Sequence, residues 1–124
     1  MDVNNIKFKA KRLDNGEWVK GDLVHSYNDG VVIFPIEGCA QLVDPSSVCQ
    51  YTGLKDENGK EVWEHDILES PHFKGEVVFS KGYYRVQKDD CVSFSFPFFN
   101  IIAGKIDYCR VIGNKFDEKE AEDD

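Results

Sequence analysis

The spacing of its turns constrains this chain more than any other feature. Asp14-Asn15-Gly16, Asn28-Asp29-Gly30 and Asp56-Glu57-Asn58-Gly59 place residues that tolerate positive φ beside runs too short for most helices. Between the turns the pattern is that of strands. Ile6-Lys7-Phe8-Lys9-Ala10-Lys11 alternates apolar and basic residues, the period of a half-buried strand. Glu17 to His25 resumes after the first turn, and Val31-Val32-Ile33-Phe34 forms a β-branched run stopped by Pro35. These three runs predict an N-terminal β-meander.

Gly38 to Pro45 reads as irregular, and Val48 to Tyr51 as a short extended piece. Further strands are expected at Asp66 to Leu68, Gly75 to Phe79, Tyr83 to Val86, Val92 to Phe96 and Tyr108 to Ile112. Only Asn100 to Ile106 or the tail has room for helix. Many short strands at this spacing describe a small β-barrel or sandwich. A change of texture near Gln50 divides the chain into a meander over residues 1–50, a second β unit over 51–116 and a tail over 117–124, with a fused single domain as the alternative.

At 124 residues the chain buries roughly two-thirds of its unfolded surface, enough to fold without metal or disulfide staples. The net charge of −8 is uneven, because the tail DEKEAEDD carries −5 of it and the body only about −3. Such a tail has little to bury and is expected to be disordered. A mildly acidic body argues against general DNA or membrane-surface binding, which needs concentrated positive charge. Cys39, Cys49, Cys91 and Cys109 are widely spaced, with no CxxC pair or Cys/His quartet, so they read as reduced, buried thiols and no metal or other cofactor is expected. The opening MDVNNIKFKAKR lacks an apolar signal core and no run approaches a membrane span, which predicts a cytoplasmic protein with no membrane partner.

The most patterned stretch is Tyr51-Thr52-Gly53-Leu54-Lys55-Asp56-Glu57-Asn58-Gly59-Lys60-Glu61-Val62-Trp63-Glu64-His65-Asp66-Ile67. From its residues alone it is a folding element. Asn58-Gly59 predicts a tight turn, type I′ by its dipeptide, and Lys60 stays in solvent. Trp63 is large enough to anchor a core, and Asp66 can accept backbone N–H bonds at the turn before Ile67 and Leu68.

This stretch resembles the signature of the YopX family, small proteins of phages and prophages, in which a YTGLKD-x-NGK-E-[IV]-[YF]-EGDI-like run stands in this place. Ile6 to Ala10, Gly21-Asp22-Leu23 and Val111-Ile112-Gly113-Asn114 extend the resemblance over roughly residues 6–116. It implies a β-rich protein with a C-terminal part similar to an SH3-like barrel, a bacterial host cell as its setting and homo-oligomeric assembly. It brings no catalytic residues. His65 departs from the pattern by standing where the family has Gly, a position suited to a tight backbone turn.

Three other constellations remain. Glu64, His65 and Asp66, with His72 and His25, can be drawn as the site of a metal-dependent hydrolase, but adjacent strand residues point to opposite faces, so Glu64 and Asp66 converge and His65 does not. Lys7, Lys9, Lys11 and Arg12 form a basic stripe near Phe8 and Trp18, which suits a nucleic-acid-associated accessory protein of phage replication or regulation, or an ordinary outer strand face. The run Ser93 to Ile102, SFSFPFFNII, offers Phe94, Phe96, Phe98, Phe99, Ile101 and Ile102 as a subunit interface, because a small monomer struggles to cover such a segment on all sides. The reading with most support is a non-enzymatic homo-oligomeric binding or structural module with an unassigned protein partner. The nucleic-acid role comes second and the hydrolase third.

Overall fold

The computed structural model describes residues 2–25, 30–71, 74–80, 82–87, 93–95, 101–102, 104–106 and 108–117, of which 93–95 and 101–102 are described by their backbone alone. It is mainly β and divides into two compact units, Met1–Tyr51 and Thr52–Asp124.

In the N-terminal unit, β1 (Phe8–Lys11) and β2 (Trp18–His25) pair antiparallel, with Ala10 opposite Val19 and Phe8 opposite Gly21. Beyond Gly21, β2 changes partner to β3 (Val31–Phe34), with Leu23 opposite Ile33. Gly21 sits at the change of partner for a steric reason. A Cβ there would lie 2.1 Å from the Phe34 carbonyl oxygen, so only glycine lets the two backbones approach. The stretch expected to be irregular contains β4 (Gln41–Val43), antiparallel to β3, and a 3-10 turn over Pro45–Ser47 capped by Asp44. Three residues are too few to show a period, and it is the pairing with β3 that makes them a strand. Ala10, Ile33 and Val43 are fully buried, with Phe8, Val19, Leu23, Val31 and Val48 packed around them. Ser47 holds the turn against β1, accepting from the Lys11 N–H at 2.8 Å and donating to the Asp44 carbonyl at 2.7 Å. The first residues of β5 (Cys49–Lys55) pair with the other edge of β1.

In the C-terminal unit the last residues of β5 carry β6 (Glu61–Trp63), and Lys55 pairs in parallel with Lys105 of β12 (Lys105–Ile106). β11 (Ile101–Ile102) lies antiparallel to β12, so within the stretch allowed as helix residues 101–102 and 105–106 are a pair of two-residue strands. Gly104 at φ 79° links them, and a glycine in that conformation interrupts a helix. A second sheet contains β7 (Asp66–Glu69), β8 (Lys74–Ser80), β9 (Tyr83–Gln87), β10 (Ser93–Ser95) and β13 (Arg110–Asn114) in the order β10-β9-β8-β7-β13.

Among the described residues no sheet closes on itself, and the SH3-like barrel implied by the family resemblance is not seen in them. The five-stranded sheet ends on β10, only three residues long, and on β13, which pairs with β7 and then turns into helix at 115–117. The core of this unit is Val62, Leu68, Val77, Val86, Ile106 and Cys109, all buried. The expected disorder of the acidic tail concerns residues 118–124, which lie outside the described residues, while Asp117 ends the helical turn.

Candidate functional site

The patterned stretch builds its site from two buried carboxylates. Past β5 the chain reverses over Glu57-Asn58-Gly59. The Gly59 N–H donates to the Asp56 carbonyl at 3.0 Å, and the Asp56 N–H to the Lys60 carbonyl at 2.8 Å. Gly59 alone of the loop residues has positive φ, 84°. The hairpin is therefore a three-residue loop with a left-handed glycine, not the type I′ turn that Asn-Gly predicts, because three residues separate the closing pair rather than two.

Asp56 is 1% exposed, and its carboxylate is spent on backbone. Oδ1 accepts from the N–H groups of Asn58 and Lys60, each at 2.9 Å, and Oδ2 from the Val111 N–H at 2.9 Å. The carboxylate thus closes its own turn with one oxygen and holds β13 with the other.

Asp66 repeats the arrangement ten residues on. Its Oδ2 accepts from the Trp63 N–H at 2.7 Å, and its Oδ1 from the Asn114 amide at 2.9 Å. Asn114 in turn accepts from the Phe116 N–H at 3.0 Å, capping the helical turn that follows β13. Trp63, Asp66 and Asn114 are all buried. Val111 and Asn114 belong to the closing VIGN of the sequence, and between them the register with β7 slips by one residue. That bulge leaves Ile112 without a Cα partner on β7 and lets Asn114 fall opposite Asp66. The central motif and the closing motif are therefore two halves of one hydrogen-bonded joint.

His65 occupies the turn between β6 and β7 at φ 71°, the conformation that a glycine would adopt without strain. Its N–H donates to Val77 O at 2.7 Å and its carbonyl accepts from Lys115 N–H at 2.8 Å, which hold that backbone in place. The imidazole lies 2.8 Å from Glu76 through Nδ1 and 3.7 Å from Glu64 through Nε2, with Phe116 edge-on at 5.4 Å. Strand alternation put Glu64 with Asp66 and left His65 apart. The structure does the reverse, because residues 64–65 are a turn and alternation does not apply there. No local signal in the sequence marks Glu76, eleven positions away, as a neighbour of His65.

The two carboxylates meet opposite nitrogens of the ring, a geometry in which they cannot share one ion. Among the described residues no group of three His, Cys, Asp or Glu side chains is placed to hold a metal. His25 ends β2 in the other unit, and His72 lies outside the described residues. Nearby, the Tyr84 phenol is pushed up to about 12, first by burial and then by the charge of Glu64.

A shallow groove of about 240 Å³ in the same unit is lined by Glu57, Glu69, Ser70, Pro71, Tyr108 and Arg110. Arg110 donates to one oxygen of Glu69 from Nε, at 3.1 Å, and from Nη2. That bonding holds the guanidinium above its ordinary range, so the groove's cation is committed to a neighbour within the chain.

The basic stripe is associated with aromatic rings. Lys9 and Lys11 place Nζ at 4.5 and 4.7 Å from the centre of the Trp18 ring, and Lys7 at 4.7 Å from that of Tyr51. Arg12 pairs with Asp14 at 2.7 Å. Of the cysteines expected to be buried, Cys49 and Cys109 are, whereas Cys39 is exposed on the segment before β4, and Cys91 lies outside the described residues. Phe96, Phe98 and Phe99 of the expected interface also lie outside them, and Phe94, Ile101 and Ile102 are described as backbone in β10 and β11.

No curated protein matches the sequence. The family comparison does find a match, to YopX, described as YopX protein, over residues 7–120. That span takes in β1, the two-aspartate joint and the closing strand together, and by it the chain belongs to the YopX family.

Proposed function

We propose that this YopX family member is a non-enzymatic, self-associating binding or structural module of phage or prophage descent that works in the host cytoplasm. One observation carries the reading, namely how the motif uses its carboxylates. Asp56 and Asp66, the residue type that hydrolytic or metal chemistry would employ, are buried and bonded to backbone N–H groups and to Asn114. The most patterned residues serve the joint between strands, and the family is then united by a scaffold. Light scattering on the full chain at micromolar concentration tests the self-association, with a mass above the monomer expected and a monomer overturning it. Affinity capture from induced cells, with nuclease-treated controls, tests the binding role.

A nucleic-acid-associated accessory role is the second reading, favoured by Lys9 and Lys11 of β1 and Lys7 just before it, which lie beside Trp18 and Tyr51. Mobility shifts at physiological salt decide it. A complex that weakens when Lys7, Lys9 and Lys11 are changed to Gln would put this reading first.

A further inference from the structure

We infer that the outer face of β2, β3 and β4 is the surface through which two copies of this chain associate. The inference rests on the self-association proposed above and assigns it a place. The strand register puts Val24 opposite Val32, and Val32 opposite Leu42. The Leu13 N–H donates to the Leu42 carbonyl at 3.1 Å, next to the Arg12–Val43 bridge, so Leu13 continues the same row. Four apolar side chains thus cross four neighbouring backbone segments on the face opposite the buried Ile33 and Val43. Val24, Leu42 and Leu13 are 42, 55 and 62% exposed. Phe34, two residues beyond Val32 on the same face, is 48% exposed, and Ile36 beyond it is fully exposed.

The size of the patch selects its occupant. The exposed parts of these side chains sum to roughly 500 Å², close to the apolar share, about 65%, of the roughly 800 Å² each partner buries in a standard homodimer. A row of aliphatic side chains is also self-complementary. A two-fold axis near Val32 lays one row against its copy, as two sheets pack face to face. The row from Val24 to Leu13 is uncharged, and Asp22, opposite Phe34 on the same face, lies to one side of it and can stay in solvent at the rim of such a contact.

Sedimentation equilibrium on the full chain tests this with Leu42→Glu and, separately, Leu13→Glu. Leu13 lies in a turn outside the strands, so its replacement spares the fold if Leu42→Glu does not. Each variant is expected to raise the concentration of half-dissociation about tenfold or more while circular dichroism stays native-like. A wild-type oligomer that persists in a folded Leu13→Glu variant overturns the surface and leaves self-association standing, with Phe98→Ser and Phe99→Ser as the next variants. A wild-type monomer overturns both.

Discussion

Both units have an apolar core, but they differ in what fixes the placing of their strands. In the N-terminal unit the core is Ala10, Ile33 and Val43, and the decisive contact is between backbones, where Gly21 meets the Phe34 carbonyl. The C-terminal unit places Asp56, Asp66 and Asn114 inside, each hydrogen-bonded through both polar atoms of its side-chain head. Apolar packing specifies which face is buried but tolerates small slips. A buried carboxylate bonded to named N–H groups tolerates none, since a slip would leave both charge and donors without partners. The family signature lies mostly in the second unit, and its polar letters are those that fix register.

The sharpest way to break this comparison is Asp56→Ala. It deprives three N–H groups of their acceptor and is expected to cost about 4 kcal/mol. The chain has two tryptophans, Trp18 in one unit and Trp63 in the other. Denaturant unfolding followed through each, with the other changed to Phe, should show the loss at Trp63. An equal loss at Trp18 would mean that the two units do not differ in what holds them.

Gly21→Ala is the matching experiment on the N-terminal unit. The added methyl has no room beside Phe34, and a cost of about 3 kcal/mol is expected at the Trp18 transition. A neutral result would show that the backbone approach is not what joins β2 to β3.

A smaller effect separates side chain from backbone at residue 65. His65→Ala keeps the left-handed strain and loses the contacts to Glu76 and Phe116, whereas His65→Gly loses the same contacts and relieves the strain. The Gly variant should therefore be the more stable of the two by about 1 kcal/mol. Equal stabilities would place the value of this position in the imidazole alone.

The smallest effect is at high pH. Because the folded Tyr84 holds its proton up to about 12 and an unfolded tyrosine releases it near 10, the folded state binds more protons between those values. The stabilisation is full below pH about 10 and lost as pH rises towards about 12. Tyr84→Phe should flatten that part of the stability profile, by about 1 kcal/mol after allowance for partial exposure.

Much of this fold was legible because its signals are local. The meander announces itself through β-branched runs and Asn/Gly turns, and β1, β2 and β3 fall where the pattern puts them. β4 was illegible because Gln41-Leu42-Val43 is a strand only by virtue of its neighbour. The Asp66 bond to the Trp63 N–H was readable as a turn contact, whereas its bond to Asn114 spans the unit and has no local trace. The exposed row does have a local signal. Val31 to Phe34 is apolar at four consecutive positions, so an antiparallel strand with one face in the core had to turn Val32 and Phe34 outward.

The joint between the two motifs also sets a schedule. Asp56 finds its Val111 donor 55 residues later, and Asp66 its Asn114 donor 48 residues later. On a ribosome, both carboxylates emerge long before either donor exists, and contacts of such separation form late. The C-terminal unit therefore completes this joint only after synthesis has passed Asn114. A chain that stops short of Val111 keeps the local bonds of both acids but lacks the distant one of each, and the joint left open is what a protease would find first.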